Sequence, residues 1–136
     1  MFSRLFGKPQ TPSVEPDYRV LMVCMGNICR SPTAEAVLRH KLQQAGLHER
    51  VQVDSAGTHA YHVGSPPDER SQKHARARGY DLAALRARKF DPSDLDCFDL
   101  ILAMDWDNLA LLEEACPPSQ PARRKLRRLT EVVGND

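Results

Sequence analysis

Short apolar runs alternate with longer amphipathic segments along this chain. The runs at 20–23 and 98–104 are dominated by apolar residues, as expected of buried parallel strands. Residues 32–45 carry apolar side chains at three- and four-residue steps, which predicts a helix with one buried face. Residues 51–56 alternate and favour a short strand. Strands alternating with helices predict right-handed crossovers and a parallel sheet covered by helices on both faces.

The same patterns predict the remaining elements. Three prolines between positions 9 and 16 make residues 1–17 an irregular N-terminal leader. The rest of the chain predicts a helix over 68–78 capped by Asp68, a short turn or helix over 91–97, a helix over 106–115 capped by Asp105, and, weakly, a final strand within 123–133.

Composition narrows the class of protein. The 136 residues are 41% hydrophobic and 27% charged, with a formal net charge of +1. One globular domain is expected, and the charge gives no reason to predict binding to nucleic acid or to a membrane. Four cysteines without a signal peptide predict a reducing, cytoplasmic location. No C-x2-C pair occurs, so we expect no metal site.

The segment around Cys24 carries the candidate chemistry. An apolar strand ends at Cys24, and Arg30 stands six positions later, where a helix begins. A helix start offers unpaired N–H groups and the positive end of the helix dipole, so the loop before it suits an anion. Cys24 and Arg30 can therefore face one bound oxyanion. A cysteine beside an arginine and a helix N-terminus is favoured as thiolate, which predicts a nucleophile.

The residues between and after these two support an anion loop. Gly26 permits close approach of the backbone, and Asn27 tolerates a left-handed conformation, so successive amides can surround an anion. Arg30 offers a planar fork for two oxygens of a tetrahedral group. Ser31 fits two roles, helix N-cap and hydroxyl donor to the thiolate, with Pro32 at the first helical position.

Three strings in the sequence resemble those of a known family. C-M-G-N-I-C-R-S-P at 24–32 resembles the phosphate-binding loop of the low-molecular-weight protein tyrosine phosphatases, and V-D-S-A-G-T at 53–58 and F-D-L-I-L-A-M-D-x-x-N at 98–108 are further matches. The resemblance implies a single-domain, flavodoxin-like three-layer α/β fold with a four-stranded parallel sheet over residues 18–136. It also implies hydrolysis of aryl phosphates through a cysteinyl-phosphate, without a cofactor.

The resemblance also implies the following roles for individual residues. Cys24 and Arg30 are catalytic, and Cys29 is a redox partner that forms a reversible bridge with Cys24 under peroxide. Phosphate is held by a loop whose members are Met25, Gly26, Asn27, Ile28, Cys29, Arg30 and Ser31. Asn27 and Ser31 stiffen this loop with help from Ser55, while Tyr61 and His62 line the substrate cleft. Leu85 occupies a place where the family often has a histidine that supports the loop asparagine.

We expect the partners to be a phosphotyrosine-containing protein and inorganic phosphate or another oxyanion, and the chain to be a monomer or weak dimer. The family's general acid comes from a D-P-Y-Y-like string near the C-terminus, and no such string occurs, so the acid loop is expected to be lacking from these residues. Asp136 is not assigned that role.

Three alternatives remain. Because the acid is missing, a catalytically impaired phosphotyrosine- or phosphate-binding module stays open as an alternative to the phosphatase. Arsenate reduction would need a downstream cysteine pair, and Cys97 and Cys116 stand far apart. Phosphoarginine hydrolysis is typical of relatives that carry threonine where this chain has Ile28.

Overall fold

The computed structural model describes residues 15–134, and these form one α/β sheet structure. Its elements in chain order are β1 (Tyr18–Cys24), α1 (Arg30–Gln44), β2 (Val51–Gly57), α2 (Glu69–Ala77), α3 (Asp94–Cys97), β3 (Leu100–Ala103), α4 (Trp106–Glu114), a 3-10 helix (Pro121–Lys125), β4 (Leu126–Arg128) and α5 (Leu129–Val133).

The four strands are all parallel and lie in the order β2-β1-β3-β4. The chain leaves β1 toward one edge of the sheet to form β2 and then returns past β1 to form β3. This change of direction makes the carboxyl end of β1 a topological switch point, where open parallel sheets bind their ligands. Cys24 is the last residue of β1 and pairs with Gly57 at the end of β2.

Apolar side chains cover both faces of the sheet, because successive residues of a strand point to opposite faces. On one face, Leu21 and Val23 pack in a core with side chains of α3 and α4. On the other, Val20 and Met22 pack with side chains of α1 and with Leu129 of α5. The helix α2 packs on α1 through a small apolar cluster. The predicted three-layer fold with a four-stranded parallel sheet is therefore confirmed.

One local prediction is wrong. Helix α1 begins at Arg30 with Cys29 as its N-cap residue, so Ser31 lies inside the first turn and is not the cap. The physical reason is that the loop already enters the helix at Cys29, whose carbonyl accepts from Thr33 N–H, while the Ser31 hydroxyl faces Cys24. The final strand predicted within 123–133 is present as β4, which has only three residues because the flanking segments form a 3-10 helix and α5.

Part of the chain lies outside the described residues. The predicted leader overlaps them only at 15–17, where Asp17 N–H donates to the carbonyl of Arg50, and Asp136 lies beyond them. Among the helices that the structure describes, none combines the length and apolar character needed to cross a membrane.

Candidate active site

Cys24 stands at the end of β1 with its side chain almost entirely buried beneath the following loop. Only 3% of the residue is exposed, and its Sγ lies 3.0 Å from Ser31 Oγ in the first turn of α1. The sheet places the sulfur at the switch point, and the helix supplies a hydroxyl directly beside it. A thiolate here would have one hydrogen-bond donor fixed in place.

Asn27 is the structural centre of the loop between Cys24 and Arg30. Its φ of +58° is a left-handed conformation that asparagine tolerates better than most residues. Its Nδ2 donates to Ser31 Oγ and to Ser55 Oγ, both at 2.9 Å, and its Oδ1 accepts from Arg88 N–H at 2.9 Å. Both amide hydrogens and the carbonyl oxygen of this buried side chain are thus hydrogen-bonded, and this holds the strained loop conformation.

Three backbone contacts fix the loop from outside. Thr58 and His59 donate their N–H groups to the carbonyls of Cys24 and Met25, each at 2.9 Å, and Asp68 N–H donates to Ile28 O at 2.7 Å. These contacts turn the loop carbonyls outward toward the scaffold. Because these carbonyls are engaged with the scaffold, we expect an anion in the loop to meet backbone N–H groups instead.

Gly57 permits the close approach of the loop to β2. A Cβ built on Gly57 would lie 2.7 Å from Met25 O and 3.0 Å from Gly26 C, and both of these are backbone atoms. A side chain at this position would displace the loop, so its path depends on a glycine that is not part of it.

Arg30 forms an ion pair with Asp105, the N-cap residue of α4. Arg30 Nη1 lies 2.7 Å from Asp105 Oδ2, while Asp105 Oδ1 accepts from Asn108 N–H at 2.7 Å. The hydrogen bond to Asp105 raises the pKa of Arg30 further above its ordinary value. Partial burial opposes ionisation of Asp105, but its bonds from Asn108 and Arg30 prevail and lower its pKa. Both groups are therefore charged at neutral pH.

A cavity of about 200 Å³ opens over Cys24. Its lining consists of Cys24, Met25, Gly26, Ile28, Cys29, Arg30, Tyr61 and His62. Tyr61 is 74% exposed and stacks on His59 with ring centroids 5.1 Å apart. The cavity accommodates a group of phosphate size, and the exposed tyrosine ring forms an aromatic wall at its rim.

Most of the predicted loop residues and both predicted cleft residues line this cavity. Asn27, Ser31 and Ser55 do not line it and form a buried hydrogen-bonded group centred on Asn27. Leu85 packs on the cluster between α1 and α2, and Arg88 N–H is the connector group that contacts Asn27. The Arg88 side chain is itself paired with Asp54 and Asp94. Cys29 is exposed and accepts from Ser71 Oγ at 3.1 Å.

Sequence reasoning missed a buried carboxylate next to this network. Glu35 is 3% exposed, and its Oε1 accepts from Ser55 Oγ at 2.6 Å while its Oε2 is bonded to Arg39. Burial raises the pKa of Glu35, against the opposing effect of Ser55 and Arg39. Its position four residues after Ser31 was the available signal, since residues at that spacing are neighbours on a helix.

Within residues 15–134, no group of three or more His, Cys, Asp or Glu side chains is placed to hold a metal ion. His59 and His62, which have metal-like spacing, differ in their contacts: His59 is bonded to Thr58 Oγ1, and His62 lines the cavity.

Comparisons with known proteins agree on one family. The family model described as low molecular weight phosphotyrosine protein phosphatase matches residues 19–135. A putative low molecular weight protein-tyrosine-phosphatase of Synechocystis is 52% identical over 90 residues, which are 66% of this chain and 57% of that protein. The low molecular weight protein-tyrosine-phosphatase YfkJ of Bacillus subtilis is 45% identical over 93 residues, 68% of this chain and 60% of that protein.

Solved structures give the same result. The crystal structure of YfkJ matches with a TM-score of 0.81 at 38% identity, covering 88% of this chain and 74% of that one. A protein tyrosine phosphatase from Entamoeba histolytica with Hepes in its active site matches with a TM-score of 0.79 at 40% identity, covering 84% and 71%. The chain therefore spans somewhat less than two thirds of the two curated relatives.

Proposed function

Because the chain belongs to the low molecular weight phosphotyrosine protein phosphatase family, we propose that it hydrolyses aryl phosphomonoesters, with phosphotyrosine in proteins as the substrate class. The observation that carries this proposal is the position of Cys24 Sγ at the base of a cavity lined by loop residues and by Arg30. The tyrosine phosphatase named among the relatives, with Hepes in its active site, has the same fold and supports an oxyanion-binding role for this loop.

In the proposed first step, the Cys24 thiolate attacks phosphorus and forms an S–P bond while the P–O bond to the aryl group breaks. The electron pair of that bond leaves with the phenolate oxygen. Arg30 and the backbone N–H groups of the loop hold the three equatorial oxygens, where negative charge is spread in the transition state. Water then attacks the cysteinyl-phosphate, which releases inorganic phosphate and restores the thiolate.

Ser31 assists by stabilising the sulfur. Its Oγ accepts from Asn27, so its own hydrogen is available for Cys24 Sγ at 3.0 Å. A hydroxyl donor favours the thiolate in the free enzyme and favours it again as leaving group when water attacks the intermediate. Tyr61 and His62 at the cavity rim would hold the aromatic ring of the substrate over the sulfur.

Protonation of the leaving phenolate distinguishes two candidate functions. The residues that line the cavity in the described part of the chain include no Asp or Glu. Asp105 is nearby, but its lowered pKa and its bond to Arg30 make it a poor proton donor. A second candidate function is therefore a phosphotyrosine-binding module that hydrolyses its ligand slowly or not at all.

Cys29 has a proposed regulatory role. Cys24 and Cys29 are both free thiols that line the same cavity, which supports a reversible bridge between them under peroxide. Ser71 Oγ lies 3.1 Å from Cys29 Sγ and would lose this contact on bridging.

Turnover of p-nitrophenyl phosphate tests the proposed function, because its activated leaving group needs little protonation. We expect phosphate release that vanishes in Cys24→Ser and persists in Cys97→Ser, which changes an exposed thiol on α3. Saturable phosphate binding without release of p-nitrophenol would instead support the binding module.

A further inference from the structure

A continuous chain of side-chain hydrogen bonds links a buried carboxylate to the proposed nucleophile. It starts at Glu35 on α1, passes through Ser55 at 2.6 Å and Asn27 at 2.9 Å, and reaches Ser31 at 2.9 Å and Cys24 at 3.0 Å. All five residues are at most 5% exposed. Water therefore has little access to replace a missing link.

The direction of each bond in this chain follows from the amide of Asn27. Its Oδ1 accepts from Arg88 N–H, so its Nδ2 is the atom that faces the two serines. An amide nitrogen only donates, and therefore both serine oxygens are acceptors toward Asn27. Each hydroxyl keeps one hydrogen, which it must donate elsewhere.

The hydroxyl hydrogens of Ser55 and Ser31 serve the two ends of this series of hydrogen bonds. Ser55 donates to Glu35 Oε1. The Ser31 hydrogen is left for Cys24 Sγ, 3.0 Å away, to which it donates when the sulfur is a thiolate. The bonds thus run outward from Asn27 and end in two acceptors, a carboxylate at one end and a sulfur at the other. Such a pattern is satisfied when both ends carry acceptors only, as a carboxylate and a thiolate do.

Glu35 meets this requirement with both of its oxygens. Oε1 accepts from Ser55, and Oε2 accepts from Arg39, whose other contact is the carbonyl of Val53 at 2.7 Å. An amide in place of the carboxylate would turn one acceptor into a donor. The new NH2 group would then face another hydrogen-bond donor, either the Ser55 hydroxyl or the Arg39 guanidinium.

We propose that Glu35 is a positioning residue for Cys24: its carboxylate accepts the Ser55 hydrogen, fixes the Asn27 amide, and so aims the Ser31 hydroxyl at the sulfur. The inference rests on the proposed function, in which Cys24 acts as thiolate, and it extends the site to a residue on the far side of the loop. The charged groups that face Glu35 are Arg39 from its own helix and Asp54 from β2.

Alkylation of Cys24 by iodoacetamide tests this without any need for turnover. The rate is measured against pH in the wild type and in Glu35→Gln, with modification of Cys24 followed by peptide mass mapping. We expect the midpoint of the thiolate titration to rise by about 0.5 to 1 pH unit in the variant, because a less ordered Ser31 hydroxyl stabilises the thiolate less. Glu49→Gln, at an exposed turn residue, is the matched control and should not shift the midpoint.

A second variant separates positioning from stability. In Ser55→Ala, the hydrogen bond that links Glu35 to the other side chains is already lost. Adding Glu35→Gln should therefore raise the midpoint of the Cys24 titration no further. A purely structural Glu35 would lower the melting temperature and leave the midpoint unchanged, and that result would overturn the proposal. If Glu35→Gln does not fold, an unchanged midpoint in Ser55→Ala overturns it equally.

Failure of the proposed function has a different signature. A wild-type chain whose Cys24 titrates as a reactive thiol but releases no p-nitrophenol argues against phosphatase activity and leaves the role of Glu35 intact. Normal turnover with an unshifted midpoint in both variants argues against Glu35 alone.

Discussion

Arg30 Nη1 lies 2.7 Å from Asp105 Oδ2, so the guanidinium that begins α1 is tied to the carboxylate that caps α4. The two residues follow β1 and β3, which are neighbouring strands, and they meet at the carboxyl edge of the sheet. A guanidinium has five N–H donors, and a bond through one of them sets its plane while leaving others for an oxyanion. Asp105 thus has two contacts, one with its own helix and one with the proposed site.

Asp105→Asn separates these two contacts. Asparagine caps helices about as well as aspartate, so α4 should remain intact while the ion pair is lost. We expect kcat/KM for p-nitrophenyl phosphate to fall about fivefold to tenfold, because Arg30 is oriented less well and half-exposed pairs contribute modestly. Asp107→Asn removes the same charge from an exposed neighbour and serves as control. An equal loss in both variants would show that net charge, and not the pairing, matters.

The same pair predicts a dependence of stability on pH. The folded-state pKa of Asp105 is lowered, so its contribution is fully present above the ordinary carboxyl value of 3.8 and is lost as pH falls through the folded pKa. Urea unfolding of the wild type and Asp105→Asn should therefore show a stability difference that shrinks below pH 3.8. A difference that is constant down to the acid limit would contradict the lowered pKa.

Asn27 is expected to act both through its backbone and through its side chain. Asn27→Ala loses three hydrogen bonds and places an alanine in the left-handed conformation at φ +58°. Asn27→Gly loses the same bonds but tolerates that conformation. We expect both variants to lose most of their phosphate affinity, and Asn27→Ala to be less stable than Asn27→Gly by about 1 kcal/mol. Calorimetric phosphate titration and urea unfolding measure the two effects.

If Asn27→Gly binds phosphate as tightly as the wild type, the hydrogen bonds of Asn27 are unnecessary for the loop. Equal stability of the two variants would instead show that the left-handed conformation carries no cost at this position.

Gly57→Ala tests the close approach of β2 to the loop. The added Cβ would meet backbone atoms of Met25 and Gly26 at 2.7 and 3.0 Å, which cannot yield as a flexible side chain would. We expect the loop to be displaced, with kcat/KM for p-nitrophenyl phosphate at least about tenfold lower, since small displacements of reacting groups cost large factors in rate.

Gly79→Ala is the matched control for that substitution. Gly79 has a φ of +88° with open space around its Cβ position, so alanine there should cost stability and spare kcat/KM. If Gly57→Ala and Gly79→Ala lose kcat/KM in the same proportion to their loss of stability, the close approach at Gly57 has no specific role in the loop.

Much of the architecture could be predicted from sequence, because buried parallel strands and amphipathic helices have distinct periodicities. The strands ending near Cys24 and Gly57 and the caps of α2 and α4 follow from local patterns. What could not be predicted depends on contacts between distant segments. Pairing of Arg30 with Asp105 spans 75 positions, and the bond of Asn27 to Arg88 spans 61.

Of the short C-terminal elements, only the strand was predicted, and only weakly, for a different reason. Residues 121–133 hold a 3-10 helix, a three-residue strand and a five-residue helix, each too short to show a period. The cation–π contact of Trp106 was not predicted either. The Arg128 guanidinium lies 3.6 Å from the centroid of its ring, and no local pattern indicates this contact.

Capture of a covalent intermediate shows whether Cys24 is the nucleophile. The wild-type chain is mixed with p-nitrophenyl phosphate, denatured within milliseconds, and mapped by peptide mass spectrometry. We expect one added phosphoryl group on Cys24, which is absent from Cys24→Ser and unaffected in Cys97→Ser. Release of p-nitrophenol in the wild type with no phosphoryl group on Cys24 at any quench time, and undiminished release in Cys24→Ser, would contradict this role of Cys24.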